Sequence, residues 1–251
     1  ARHGRADLIA GNNVLAHVPD INDFAGGLPE LLAPEGVVTF EFPHLQNLIA
    51  LNQFDTIYHE HFSYLSLTAV KSILAKQGLR IFDVEHLPTH GGSLRIFAAH
   101  DGASHAETPA VAETLAAEEA AGLTRLETYS AFMERVVRIK RDLLRFLLDA
   151  QEQGKTVVGY GAAAKGNTLL NYVGAGPDMI SMVADQSPQK QGRALPGVHI
   201  PVVDPATLLA AKPDYVLILP WNLRDEIAAQ LAQIRDHGGK FVVAIPDLAV
   251  F

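Results

Sequence analysis

The chain has 251 residues, of which 48% are hydrophobic and 19% are charged, a composition typical of a soluble globular protein with one large or two modest domains. Its net charge of −8 argues against binding to nucleic acid or to an anionic membrane, and no apolar run is long enough to span a bilayer. The absence of cysteine excludes disulfides and thiolate metal sites, and we expect a cytoplasmic protein.

The first predicted elements form a parallel α/β sheet. Leu8–Ala10 predicts a strand that ends at Gly11-Asn12-Asn13, and a helical stretch follows, which Pro34-Glu35-Gly36 is expected to stop. Val37–Phe42 is β-branched and aromatic, and it predicts a buried strand that ends before Pro43. Strand, helix and strand in this order favour a parallel pair.

A helix and a hairpin come next. Apolar residues recur with helical spacing from Leu67 to Leu79, which predicts an amphipathic helix. Arg80–Glu85 and Ser93–Ala99 predict two strands, and we expect them to pair antiparallel because only Pro88–Gly92 joins them. We predict that a first domain covers residues 1–102.

The remaining residues, 103–251, predict a helical connector followed by a second α/β domain. Asp101–Leu123 and Thr124–Gln153 indicate helices, the second of them long. From Lys155 onward the pattern changes to strand, glycine loop and helix, which predicts a doubly wound sheet. Its strands are expected at Thr156–Gly161, Met179–Asp185, Tyr215–Pro220 and Phe241–Ile245.

Four groups that can transfer protons follow one another at Tyr58-His59-Glu60-His61. Apolar residues flank them, and polar groups in such surroundings are costly unless they are paired or used. One use is general base catalysis, with His61 as the base, Glu60 fixing its tautomer and Tyr58 donating to a developing oxyanion. The stretch therefore predicts a catalytic site.

Two other interpretations of this stretch remain open. On an extended strand His59 and His61 point the same way and can bind one cation. Alternatively, the histidines hydrogen-bond to the backbone of a polar turn. His17 lies just beyond the carboxyl end of a predicted strand, where open α/β sheets bind ligands, and it is either a further site residue or a loop histidine.

The stretch Gly159–Gly166 follows a predicted strand and opens a helix. Its backbone amides at Gly161 and Ala162, helped by Lys165, can hold a diphosphate. The stretch also fits the dinucleotide pattern loosely, with Asp185 as the ribose ligand, which would indicate a nicotinamide-dependent oxidoreductase. A purely structural tight turn is the third interpretation.

Two further candidates lie near the predicted hairpin. Arg95 either pairs with a phosphate bidentately or is an ordinary outward-facing strand arginine. His90 precedes two glycines, which can also be explained by the turn alone. Trp221, the only tryptophan, is expected in the core, and the alternative is that it stacks on a nucleotide base.

Taken together, six blocks of the chain resemble bacterial C-methyltransferases that act on thymidine-diphosphate-linked keto-deoxysugars. They occur in order along nearly the whole chain. The blocks are Asn13–Asp20, Glu41–His44, Gln53–Ser63, Pro88–Arg95, Gly159–Lys165 and Ser187–Gly192.

This resemblance implies a protein of three parts: a zinc module with cysteine ligands, a domain that binds S-adenosylmethionine, and a carboxyl-terminal α/β domain that contacts the nucleotide. Zinc is expected only in the amino-terminal module, which this chain lacks, as it lacks the glycine-rich loop of the second part. We therefore expect the second half of a Rossmann-like methyltransferase domain, followed by a doubly wound domain that binds the nucleotide-linked sugar.

The resemblance also implies roles for individual residues. His61 is the base that removes a proton next to the sugar ketone, with Tyr58 and Glu60 in support and His17 as a further contact. We expect cofactor contacts at Asn12 and Asn13, and substrate contacts at His90, Arg95, Gly161, Ala162 and Lys165. Because Tyr58, Glu60 and His61 cannot share one face of a strand, an irregular loop is predicted there. The alternatives are a non-catalytic fragment that binds a nucleotide-sugar and, less favoured, a nicotinamide-dependent oxidoreductase.

Overall fold

A computed structural model describes residues 4–251. The chain divides into two compact units. The first, unit 1, runs to Ala50 and resumes at His59–Ala131, and the second, unit 2, comprises Leu51–Tyr58 and Phe132–Phe251. The division therefore lies 29 residues beyond the boundary predicted at residue 102, and it also assigns Leu51–Tyr58 to unit 2.

Unit 1 is built on a four-stranded mixed sheet in the order β1-β2-β4-β3. β1 and β2 are parallel, whereas β4 is antiparallel to both β2 and β3, which confirms the two predictions of strand direction. The strands are β1 (Ala6–Asn12), β2 (Leu32–Pro43), β3 (Leu79–Leu87) and β4 (Ser93–His100).

Unit 1 also contains helices. They are α1 (Ile21–Gly26), α2 (Leu28–Leu31), α3 (Leu45–Ala50), α4 (Leu67–Ala75) and α5 (Pro109–Ala120). Contrary to prediction, Pro34-Glu35-Gly36 is not a turn, because β2 already starts at Leu32 and absorbs the extra residues as a shift in register against β1. α5 contacts β3 and α4, so it belongs to unit 1 and not to a connector.

Helix α6 (Leu126–Glu152) is the long helix that the sequence predicts. Its apolar residues recur at helical spacing, so they share one face. Within unit 2 that face is buried, and its fully or nearly buried members are Val136, Ile139, Leu143, Leu147 and Ala150.

Unit 2 contains a six-stranded sheet in the order β10-β9-β8-β5-β6-β7, parallel except for β10. The strands are β5 (Val157–Tyr160), β6 (Val183–Ala184), β7 (Val202–Val203), β8 (Tyr215–Ile218), β9 (Lys240–Val243) and β10 (Ala249–Val250). Its shorter helices are α7 (Ala164–Val173), α8 (Pro205–Ala210) and α9 (Arg224–Gln230). The predicted strand Met179–Asp185 is shorter because only Val183 and Ala184 pair with both neighbours.

This strand order confirms the doubly wound fold. From β5 the chain builds outward through β6 and β7, and then returns to the other side of β5 to build β8 and β9. The order reverses between β5 and β8, and open α/β sheets bind ligands at the carboxyl ends of the two strands that flank such a switch point. Among residues 4–251 no helix is long and apolar enough to cross a membrane.

Candidate functional site

The candidate catalytic stretch is an irregular loop. A 3-10 turn at Phe54–Thr56 precedes it, and residues 57–64 adopt neither helix nor strand before α4 begins at Leu67. The predicted irregular loop is thus confirmed. The extended strand on which His59 and His61 would share a cation is not formed, and the described residues contain no cluster of three or more His, Cys, Asp or Glu side chains suited to a metal.

His17, Glu60 and His61 come together in unit 1. The imidazole rings of His17 and His61 lie 4.8 Å apart, centroid to centroid, and Nδ1 of His17 is 2.9 Å from the Glu60 carbonyl oxygen. A carbonyl only accepts, so Nδ1 of His17 carries the proton and donates, which leaves Nε2 of a neutral ring as an acceptor. One of the predicted supporting residues therefore contributes its backbone: the Glu60 carbonyl orients His17, while the Glu60 side chain is exposed.

Backbone hydrogen bonds fix this loop against the turn that follows β1. The amides of Phe62 and Ser63 both donate to the Ala16 carbonyl, at 2.8 and 3.3 Å. His17 ends the 3-10 turn at Leu15–His17, so it lies beyond the carboxyl end of β1, as predicted. The His61 ring also contacts Tyr64, with the ring centroids 6.0 Å apart.

Tyr58, the other predicted supporting residue, is the last residue of the unit 2 segment Leu51–Tyr58. It is half-buried, and its amide donates to the Thr56 carbonyl at 3.2 Å. Its predicted role as a donor to the reacting oxygen stays a prediction.

The predicted cofactor contacts lie at the carboxyl end of β1. Asn12 is exposed and ends the strand, and Asn13 follows with a left-handed backbone, φ 55°. The Asn13 amide donates to the Glu41 carbonyl at 2.8 Å, and its side-chain Nδ2 is 3.4 Å from Nε2 of His90. Asn13 and His90 are therefore neighbours at one edge of the unit 1 sheet.

Arg95 is occupied by two carboxylates of the same sheet. It faces Glu41 on β2 and Glu85 on β3, and its guanidinium contacts them at 2.9 and 3.2 Å. The hydrogen bond that Arg95 donates to Glu41 is the largest cause that raises the pKa of Arg95. Glu41 is nearly buried and also accepts from Thr89 at 2.9 Å. Sequence reasoning gave Glu41 no role, although an acid inside the apolar strand Val37–Phe42 was the available signal.

The glycine stretch after β5 is held by side chains of the chain itself. Asp185 accepts from the Ala162 amide at 2.8 Å, and it also binds the Ser187 amide and Lys190. Both of its oxygens are engaged, which weighs against the dinucleotide interpretation, where Asp185 binds a ribose. The Lys165 ammonium donates to Asn222 at 2.6 Å.

Gly161 is required by packing. Its φ of 91° is rarely adopted by residues with a side chain, and a Cβ atom there would lie 2.5 Å from Cδ of Pro220. The loops that follow β5 and β8 thus touch each other at the switch point. Diphosphate contacts at Gly161, Ala162 and Lys165 stay predictions, and the Ala162 amide would have to exchange its partner Asp185 for the ligand.

These two sheets and the histidine loop define an α/β protein of the Rossmann-like methyltransferase class. The family model for a methyltransferase domain matches residues 1–84, and the model for a C-methyltransferase C-terminal domain matches residues 88–246. The chain belongs to the C-methyltransferase family.

A curated relative, the C-methyltransferase NovU of Streptomyces niveus, is 42% identical over 246 residues, which is 98% of this chain and 59% of the relative. The chain therefore spans about three fifths of the length of that relative. Solved structures with local similarity include TnmH, with 23% identity over 39% of this chain and 31% of that one, at a TM-score of 0.32. Another is the magnesium protoporphyrin IX methyltransferase of Synechocystis PCC 6803 with bound SAH, with 16% identity over 39% and 46% of the two chains, at a TM-score of 0.31.

Proposed function

We propose that the chain is part of an enzyme that transfers a methyl group from S-adenosylmethionine to the carbon next to the ketone of a nucleotide-linked keto-deoxysugar. The observation that carries this proposal is the contact between His17, on the turn after β1, and His61, on a loop that backbone hydrogen bonds hold against that turn. Membership of the C-methyltransferase family supports the reaction type.

In the proposed reaction His61 accepts the proton from the carbon next to the ketone, and negative charge then develops on the ketone oxygen. Tyr58 donates a hydrogen bond to that oxygen, and His17 contacts the substrate through Nε2. S-Adenosylmethionine, when bound, supplies a methyl group that its sulfonium already activates. The enzyme's main contribution is therefore to hold the carbon in line and to stabilise the enolate.

Asn12 and Asn13 are the residues of this chain that we propose to contact the cofactor. Both lie where β1 ends, and ligands of open α/β sheets bind at that edge. The exposed amide side chain of Asn12 is accessible there, and amides can pair with the polar ends of such a cofactor. These two residues would form one side of the cofactor-binding site.

Proton abstraction can be tested separately from methyl transfer. With protein of native length, a keto-deoxysugar linked to thymidine diphosphate is incubated in D2O without cofactor, and deuterium uptake next to the ketone is followed by NMR. We expect His61→Ala to slow uptake by about 100-fold or more. His105→Ala is the matched control, because that histidine is also in unit 1 but stacks on Phe82.

Methyl transfer is then measured by mass spectrometry with cofactor present. Unchanged deuterium uptake in His61→Ala would refute His61 as the base. If the wild-type protein binds the nucleotide-sugar but exchanges no proton and transfers no methyl group, it is a binding module and the proposed function fails.

A further inference from the structure

A short segment that leads into Tyr58 is folded as part of unit 2. This segment, Asn52–Tyr58, is closed by its own backbone, because the amides of Phe54, Thr56, Ile57 and Tyr58 all donate to carbonyls inside it, at 2.8 to 3.2 Å. Four internal hydrogen bonds in seven residues make it a compact turn. The internal conformation of the segment is therefore well defined. The position of Tyr58 then depends on the contacts that attach the segment to the rest of unit 2.

The first half of the segment is bound by two side chains. Asn52 is buried, donates to the Pro246 carbonyl at 3.1 Å and accepts from Arg135 at 2.8 Å. Phe54 is buried in the unit 2 core, with its ring 5.2 Å from that of Tyr172. Polar and apolar contacts together tie residues 52–54 down.

Asp55 makes the third attachment. Its side chain is fully buried, and Oδ2 accepts from the indole Nε1–H of Trp221 at 2.8 Å. The other oxygen, Oδ1, has no hydrogen-bond partner among the described residues. The Lys165 ammonium lies 4.6 Å from the centroid of the Trp221 ring and donates to Asn222, so the indole is held between an acid on its edge and a cation on its face.

These attachments lie at the switch point of the doubly wound sheet. Trp221 follows the carboxyl end of β8, Lys165 is in the first turn of α7 after β5, and α7 contacts the turn Phe54–Thr56. Open α/β sheets usually bind a ligand in this crevice. In this chain, Asp55 and the adjacent residues of the segment Asn52–Tyr58 reach this crevice.

We propose that Asp55, Trp221 and Lys165 form an internal anchor at the switch point of unit 2, and that this anchor positions Tyr58 for the reaction. All three are positioning residues, since each acts through the segment and none is required to touch the substrate. The part of the inference that concerns the reaction rests on the proposed function, whereas the anchor itself does not. Burial raises the pKa of Asp55 to about 7, with Trp221 and Lys165 opposing it, in keeping with a carboxyl held inside the fold for its hydrogen bond.

Hydrogen exchange on the complete protein tests the anchor without any activity measurement. We expect Asp55→Ala and Trp221→Phe each to speed exchange of the amides of residues 54–58 by about tenfold, the loss caused by one buried hydrogen bond. Asp55→Asn keeps an acceptor for the indole and should retain most of the protection. Asp214→Ala is the matched control, because Asp214 binds Thr156 and Lys155 instead, at the other end of β5.

A double-mutant cycle tests whether the two partners act as one unit. In Asp55→Ala/Trp221→Phe the increase in exchange should be no larger than in either single variant. Unchanged exchange of residues 54–58 in Trp221→Phe, or effects that multiply in the double variant, would overturn the anchor. If Asp55→Ala does not fold, Trp221→Phe and Asp55→Asn still decide between these outcomes.

Kinetics then test the link to Tyr58. Trp221→Phe should lower kcat for methyl transfer by about tenfold at nearly unchanged KM for S-adenosylmethionine, and Asp55→Asn should restore most of the rate relative to Asp55→Ala. Lost protection with unchanged kcat would overturn the positioning role. If the variants lose protection from exchange but the wild-type protein transfers no methyl group, the anchor stands and the proposed function is refuted.

Discussion

Removing the charge of Asp55 should make unit 2 less sensitive to pH. Burial of this carboxyl raises its pKa from an ordinary 3.8 to about 7, so between these values the folded protein binds a proton that the unfolded chain has lost. The free energy of unfolding therefore falls as pH rises through this window. Over the whole interval the free energy of unfolding falls by about 4 kcal/mol, and about 3 kcal/mol of this loss occurs between about pH 5 and 8.

Asp55→Asn is the informative variant, because an amide cannot ionise but still accepts from the Trp221 indole. Relative to wild type, its free energy of unfolding should rise by about 3 kcal/mol from about pH 5 to about pH 8. Urea unfolding followed by Trp221 fluorescence measures it, since this is the only tryptophan and lies in the unit 2 core.

Asp214→Asn is the control, because the pKa of Asp214 is shifted in the opposite direction from that of Asp55. The hydrogen bond from Lys155 lowers the pKa of Asp214 to about 2, so its ionisation stabilises the fold above about pH 4 and adds no slope between about pH 5 and 8. Parallel pH profiles of wild type and Asp55→Asn would refute the reasoning, because they would mean that Asp55 is ionised in the folded protein at a cost too small to detect. The hydrogen bond from Trp221 and the positive charge of Lys165 oppose the rise in the pKa of Asp55.

Two substitutions test other parts of the fold. Glu118→Ala should lower the free energy of unfolding of unit 1 by about 3 kcal/mol, because it leaves the buried His44 ring and the Leu67 and Thr68 amides at the amino end of α4 without their acceptor. Urea unfolding followed by circular dichroism measures it, and a loss below about 1 kcal/mol would contradict it. Gly161→Ala should cost unit 2 about 2 kcal/mol or more, because it adds a clash with Pro220 to an unfavourable φ. Gly174→Ala has a similar φ but open space around it, so an equal loss in both variants would mean that the contact with Pro220 contributes nothing.

Whether a segment forms a helix or a strand was predictable where the hydrophobic pattern is long. Val37–Phe42 and α6 each carry enough apolar residues for the period to show, and each formed the predicted type of element, although β2 extends beyond the predicted strand at both ends. The strands β7 and β10 have two residues each, too few for any period, so their place in the sheet is set only by neighbouring strands. Local pattern likewise could not show that α5 would pack on β3, since that contact depends on the folded sheet.

The candidate site was predictable as a group of residue types and less so as a set of contacts. The position of His17 after β1 and the irregular loop at His61 followed from the sequence. That Glu60 would orient His17 through its carbonyl did not, because a backbone group carries no sequence signal. The partners of Arg95 were hidden for a related reason: Glu41 and Glu85 are far from it in sequence and become neighbours only through strand register.

The glycine stretch after β5 shows why such a motif does not by itself identify a ligand. A phosphate site and a closed turn both need a glycine with a left-handed backbone, and Gly161 satisfies either. The difference lies in what the neighbouring groups bind. Here the Ala162 amide is bound to Asp185 and the Lys165 ammonium to Asn222, while Pro220 packs on Gly161 itself. A diphosphate must displace Asp185 from the Ala162 amide, whereas the Lys165 ammonium has three donors and can bind a phosphate while it donates to Asn222 and stays over the Trp221 ring. The anchor and a phosphate contact are therefore compatible at Lys165, and the Ala162 amide is the group at which a closed turn and a ligand site differ.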